Sequence, residues 1–268
     1  MASAVTQVLV WHPCRICARM SSPFRKHGSV RQCGPPEISG YRAYFNNSAR
    51  PGLWGVATYV RHEPTTVNNA VLDHPRFTSE GRAQLLTWPS LAVLNVYMPH
   101  GGRDGHDLVY KLEVLTLLAE FLFAWDGQPI ILVGDLNIAR TSQDLARPLQ
   151  NQARTMFTEA ERGLLESILD IGLVDAVRHQ SPSASALYTW WPYAYSARKR
   201  NVGWRIDYVL VHSSLAEGIR YAEHLTDVDG SDHCPVRVVL DHPLPRENGD
   251  RVGVRWAGSR NQASDYTA

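Results

Sequence analysis

The stretch PIILVGDLNIAR, residues 129–140, ends an aliphatic run with an acid and an amide two positions apart, Asp135 and Asn137. Side chains alternate between the two faces of a strand, so this pair would project together from a strand's C-terminal end. A carboxylate there can orient or deprotonate water, and an amide beside it can fix the nucleophile or a phosphate oxygen. Asp and Asn are also ordinary turn residues, so the pair alone does not separate a site from a loop. More polar residues fall at strand ends. Tyr97 closes a strand in NVYMPHGG, Asp207 stands among aliphatics in RIDYVLV, and Asp232 and His233 precede the last strand in GSDHCPV. An unpaired carboxylate inside RIDYVLV would be costly, which gives Asp207 a reason to have a partner. Each position alone has a packing or turn explanation. Together they make a kit for hydrolysing phosphate esters. A histidine holds a phosphate oxygen best when an ionised carboxylate keeps it protonated, and Asp207 is the candidate partner of His233. The oxygen-rich set suits Mg²⁺, with Mn²⁺ as the alternative, to neutralise charge on the phosphate and the departing oxygen. The chain has no GxxxxGK[ST] phosphate loop and no GxSxG elbow, which argues against a nucleotide-driven motor and a serine hydrolase.

The elements that must position these residues are legible as periodicity. Strand patterns begin at Tyr41: YRAYF, LWGVATYVR, AQLLTW and SLAVLNVY, the last ending at Tyr97. After the loop MPHGGRDGHD, residues Val109, Leu112, Leu115, Leu118, Ala119 and Leu122 recur at helical spacing, and PIILV follows as a short apolar strand. FTEAERGLLESILDIG reads as a helix with Thr158 as N-cap, Glu161 completing a capping box and Gly172 as its stop. The strands RIDYVLV, YAEHL and PVRVVL complete the set. Strands with interspersed helices predict an α/β or α+β sandwich, with α+β as the expected class. The organisation expected is a divergent or disordered head over residues 1–40, one sheet-centred domain over 41–240, and a mobile polar tail over 241–268.

Composition sets the outer limits. The chain has 268 residues, 44% hydrophobic, enough apolar material for one large core. A net charge of +1 neither demands nor excludes nucleic acid, because a basic face can be offset elsewhere. No apolar run approaches the roughly 20 residues that span a bilayer, and the start lacks the pattern of a signal peptide. The protein is therefore expected to be intracellular, a monomer without membrane contact. Cys14 and Cys17 have the spacing of a zinc knuckle, with His12 and Cys33 nearby. With no second ligand pair following, free thiols in an irregular segment are the simpler reading.

NVYMPHGG, VGDLNIAR, NVGWRIDYVLVHSSL and GSDHCPV, in that order, resemble the exonuclease III-type abasic-site (AP) endonucleases of the endonuclease/exonuclease/phosphatase superfamily. The likeness runs over about residues 41–240 and includes GYRAYF and the EGR at 80–82. It implies a four-layer α/β/β/α sandwich of two mixed sheets, and a Mg²⁺-dependent DNA phosphodiesterase. Such an enzyme cuts double-stranded DNA beside abasic sites in base excision repair, with a 3′→5′ exonuclease activity possible. It would work in the cytoplasm of a bacterium or the nucleus of a eukaryote. Asp135 would activate or orient the attacking water, Asn137 would position it, and Tyr97 and His233 would contact the phosphate. Asp207 would pair with His233. Asp135, Asn137, Asp232 and His233 would form the metal set. Trp190, Trp204 and Ile206 would line a pocket for the flipped-out abasic sugar, whose baseless face is apolar. Arg198, with Lys199 and Arg200, would hold the DNA backbone.

Two departures qualify the resemblance. His100 stands where relatives carry Asn or Gln after the Tyr-x-Pro. Upstream, relatives open with a strand bearing Trp-Asn-x-x-Gly and a second ending Leu-Gln-Glu, whose glutamate is a principal metal ligand. Here VLVWHP has His12 in place of the asparagine, and Glu37 is the sole acid before the strand region. One reading is a head that does not correspond to the native one, with Glu37 as the first candidate substitute ligand. The others are a catalytically impaired DNA-binding paralogue and a superfamily phosphatase or phosphodiesterase acting on a small molecule or lipid headgroup.

Overall fold

A computed structural model describes residues 5–10, 37–50 and 53–242, and for residues 5–10 it describes the strand path alone. The centre is a six-stranded mixed sheet in the order β4-β5-β6-β7-β9-β8. Its strands are β4 (Thr66–Asn68), β5 (Ala83–Trp88), β6 (Leu91–Tyr97), β7 (Ile130–Asp135), β8 (Leu173–Asp175) and β9 (Asp207–His212). β6 and β7 run parallel and the other neighbours antiparallel. Parallel neighbours need a crossover, supplied here by the 17-residue helix Leu108–Ala124. The helices are α1 (Pro75–Ser79), α2 (Leu108–Ala124), α3 (Pro148–Asn151), α4 (Glu159–Asp170) and α5 (Ala176–Gln180).

Alternation along the central strands sorts residues between two cores. Leu94, Val96, Leu132, Tyr208 and Leu210 face α2 and α4. Ile131, Val133, Val209 and Val211 face the opposite way, onto Val236, Val238 and Leu240 of β11 (Val236–Asp241). Every residue of β7 is buried, which is why it reads as an unbroken aliphatic run rather than an alternating one. β11 pairs on one side with β10 (Ile219–His224) and on the other with β1 (Val5–Val10), all antiparallel. β2 (Arg42–Asn46) and β3 (Val56–Val60) form a separate hairpin, and no strand among the described residues joins it to β1.

The result is the expected α+β sandwich, with differences. Among the described residues the six-stranded sheet carries α2 and α4 on one face and the strands of the second sheet on the other. Among the described residues no helix covers the outer face of β10, where Tyr221 is 64% exposed. The head, expected outside the domain, contributes β1. His12, Cys14, Cys17 and Cys33 lie outside the described residues, as does the tail beyond His242. In α2 the buried stripe is Tyr110, Lys111, Val114, Leu115, Leu118 and Leu122, while Val109, expected inside, is 70% exposed. That helix is apolar on most sides, so spacing alone could not choose its inner face.

Candidate active site

The register of three strands assembles the site. Tyr97 pairs with Asp135 across β6 and β7, and Asp135 with Asp207 across β7 and β9. Laterally paired residues share a face, and this face is the one turned toward β11. Gly134 makes the close approach to β6 possible: at φ 137°, a Cβ there would sit 1.9 Å from the Val96 carbonyl oxygen. Asn137 follows in the left-handed region (φ 52°), a conformation Asn tolerates better than most residues. Its backbone N–H donates to Asp135 Oδ1 at 2.8 Å, and its side-chain amide donates to Asp135 Oδ2 at 3.1 Å and to the Met98 carbonyl at 3.0 Å. Both amide hydrogens are thereby used within the protein. The amide nitrogen, read from the sequence as a donor to the nucleophile or phosphate, is here engaged by Asp135 and Met98, and the side-chain Oδ1 is the oxygen of Asn137 that could face a cation.

His233 arrives from the segment just before β11. Its Nδ1 lies 2.9 Å from Asp207 Oδ2, the pairing anticipated from the sequence. Burial pulls the imidazole's pKa down, but Asp207, with Asp135 and Asp232 behind it, pushes it up to about 9. Asp135 moves the other way for a carboxylate. Burial and then the charge of Asp207 raise its pKa to about 7, against the opposing pull of His233, Asn137 and Lys111. An acid poised near neutrality beside a protonated imidazole is the pairing that acid–base hydrolysis requires.

Thr189 supports Asp207 in a way the sequence did not signal. Its hydroxyl accepts the backbone N–H groups of Ile206 at 3.0 Å and Asp207 at 3.1 Å. Arg205, fully buried, pins the same turn. It donates to Asp144 Oδ1 and to Asp175 Oδ2, both at 2.7 Å, while Arg178 shares Asp144. On the other flank Arg82 donates to the Tyr97 carbonyl at 3.1 Å, and its guanidinium lies 4.6 Å from the centre of the Tyr97 ring. Glu80 anchors that guanidinium and also receives Arg76 and the Tyr110 hydroxyl.

The aromatic residues are partly gathered. Trp190 bridges to Trp204 on one side and to His233 on the other, and its ring centre is 6.4 Å from that of His233. Both tryptophans are half-buried, whereas Ile206 is only 2% exposed. His100 lies exposed beyond the end of β6. Arg198 has a task other than the one expected. It donates to the carbonyls of Thr226, Val228 and Ser231 at 2.7–2.9 Å and stacks on Trp191, so it ties down the loop ahead of His233. Lys199 and Arg200 are exposed beside it.

Asp135, Asp207 and His233 offer ligand atoms within 4.8 Å of one another. The donor set fits a hard divalent cation: one bound to Asp135 would remove the penalty that burial and Asp207 place on ionising it. His233, protonated on both nitrogens, has no lone pair to give. Asp232 falls outside the group and instead accepts the Trp190 indole N–H at 3.1 Å. Glu37 is exposed ahead of β2 and does not join the group either. Among the described residues the set that fits a cation is therefore smaller than the resemblance implied, Asp135 with Asn137 at its centre.

Residues 15–233 match the model of the endonuclease/exonuclease/phosphatase family. The chain belongs to that family. An exodeoxyribonuclease of Bacillus subtilis is 36% identical over 204 residues, spanning 75% of this chain and 80% of the relative. Among solved structures, an AP endonuclease from Archaeoglobus fulgidus superposes with a TM-score of 0.70 at 29% identity, covering 76% of this chain and 80% of that one. A 3′ phosphatase from Neisseria bound to a product DNA hairpin gives 0.68 at 26% identity, with coverage of 76% and 80%. The family likeness thus extends across the strands that carry Tyr97, Asp135, Asp207 and His233.

Proposed function

We propose that this chain is a Mg²⁺-dependent DNA phosphodiesterase that hydrolyses the backbone beside abasic sites in base excision repair. The same centre would remove nucleotides from 3′ ends. The observation that carries the reading is one constellation at three strand ends: a buried carboxylate, Asp135, oriented by Asn137 and within 4.8 Å of an imidazole held by Asp207. The names of the relatives support DNA as the substrate and abasic-site or 3′-end chemistry as the reaction.

Asp135 orients the attacking water and takes up its proton. Asn137 fixes the rotation of that carboxylate through two hydrogen bonds. His233 presents its second N–H to a non-bridging phosphate oxygen, and Asp207 keeps it charged. Tyr97, braced by Arg82, contacts the same phosphate. Asp135 and Asn137 would hold a divalent cation, which would supply neutralising charge at the phosphate and the departing oxygen. In-line attack leaves a 3′-hydroxyl. Trp190 and Trp204 border the place where a baseless sugar would stack, and the protein acts as an intracellular monomer.

The test is nicking of a duplex with one abasic-site analogue in Mg²⁺, Mn²⁺ and chelator, beside an undamaged duplex and a small phosphate diester. Metal-dependent internal nicking confined to the abasic strand is the expected result. Turnover of the small diester with no DNA cut would overturn the proposal in favour of a small-molecule phosphodiesterase. DNA binding without turnover in any metal would mean an impaired paralogue.

A further inference from the structure

Lys111 lies in the first turn of α2 with no solvent exposure. Burial disfavours its charge, and so does the positive end of the helix. Packing alone would put an aliphatic residue there. Its ammonium instead meets three oxygens: Glu161 Oε1 at 2.5 Å, the Asn137 carbonyl at 2.6 Å and the His100 carbonyl at 3.5 Å. Glu161 is itself fully buried and caps α4, accepting the N–H of Met156, the N–H of Thr158 and the Thr158 hydroxyl. One charge therefore ties together both long helices, the segment after β6 and the turn after β7. The Asn137 carbonyl belongs to the residue at φ 52° whose side chain orients Asp135.

We propose that Lys111 is a positioning residue for phosphodiester cleavage: by gripping the Asn137 carbonyl it holds that residue in the left-handed turn from which its amide reaches Asp135. The inference rests on Asp135 and Asn137 being the water-orienting pair. A methionine would fill the same volume but leave the Asn137 carbonyl and the Glu161 carboxylate without their donor, and the turn would sample other conformations.

The test compares Lys111→Met, the double variant Lys111→Met/Glu161→Gln and the control Leu165→Ala. The double variant removes both buried charges and keeps an acceptor for the α4 cap. Leu165 is a fully buried residue of α4 outside the site. Steady-state cleavage of the abasic duplex is measured together with hydrogen exchange at the Leu136 and Asn137 amides. Loss of kcat by roughly 10- to 100-fold at unchanged KM is expected in both Lys111 variants. The two amides should exchange at least about tenfold faster relative to those of β9, because their bonds open locally. Leu165→Ala, matched in Tm loss, should do neither. Should kcat track Tm across all variants, or the two amides keep their protection, the inference fails. A wild-type protein that cuts nothing refutes the functional reading instead, and the exchange measurement still decides the role of Lys111.

Discussion

Asp207→Asn keeps the side chain's shape and removes its charge, so it isolates the electrostatic half of the histidine pair. His233 is 14% exposed at its side chain and sits 2.9 Å from Asp207. Its pKa of about 9 against an ordinary 6.5 favours the charged form by about 3 kcal/mol. Burial alone would lower the value. Without the Asp207 charge, the remaining push from Asp135 and Asp232 opposes that burial, and the imidazole returns to its ordinary range or below. At pH 8 the wild-type side chain is about nine-tenths protonated, and the variant is almost wholly neutral. Because the folded pKa lies above the unfolded one, the pair stabilises the fold fully below pH 6.5 and loses that contribution as pH rises through about 9. The assay is an NMR titration of the His233 Cε1 proton in chelator, with cleavage rates in metal across the same range. A midpoint near 9 that drops by about two units in the variant is expected, with cleavage failing at correspondingly lower pH. A wild-type midpoint near 6.5, or one that Asp207→Asn does not move, would refute the reasoning.

Three further outcomes follow from the same geometry. Asp135 has a folded pKa near 7 against an ordinary 3.8, so ionising it costs stability that grows as pH rises between those values. Asp135→Asn should therefore abolish cleavage yet raise stability by up to about 4 kcal/mol at pH 8, with no gain below about pH 4. Thermal melts in chelator at the two pH values decide it, and a lower Tm at pH 8 would contradict it. Gly134→Ala puts a methyl 1.9 Å from the Val96 carbonyl oxygen, and at least about 3 kcal/mol should be lost in urea unfolding. Arg205→Met takes from Asp144 one of its two guanidinium partners and from Asp175 the guanidinium that donates to its Oδ2, both acids being buried beneath the turn into β9. It should cost about 3 kcal/mol, and adding Asp144→Asn should recover part of that.

What the sequence disclosed and what it hid divide along a physical line. Strand-end polar residues were visible because an acid is conspicuous behind aliphatics; the two-residue period set Asn137 beside Asp135, but the strand stops at Asp135 and Asn137 meets it from a left-handed turn instead. The Thr158–Glu161 capping box was equally local, and it forms as read. Contacts made across long chain separations left no such mark. Thr189 reaches Asp207 from eighteen positions away, Arg205 reaches Asp144 from sixty-one, and Lys111 reaches Glu161 from fifty. Lys111 carried a faint signal, a charge on the same helical face as Leu115, Leu118 and Leu122, but in a helix apolar nearly all round the face itself was ambiguous. Arg198 misled for the opposite reason: a basic run looks like a phosphate binder, and only the folded loop shows three carbonyls receiving its donors.

The central claim is that water, directed by Asp135 and aided by His233, displaces the 3′ oxygen of the phosphodiester beside an abasic site. Its most direct test is the chemistry of the cut end. An end-labelled duplex carrying one abasic-site analogue is incubated with the protein in Mg²⁺, and the nicked strand is offered to a DNA polymerase. The account predicts a metal-dependent nick whose 3′ end is extended at once, and none with His233→Ala. A nick that the polymerase cannot extend, or one that persists in chelator or in the His233 variant, would contradict it.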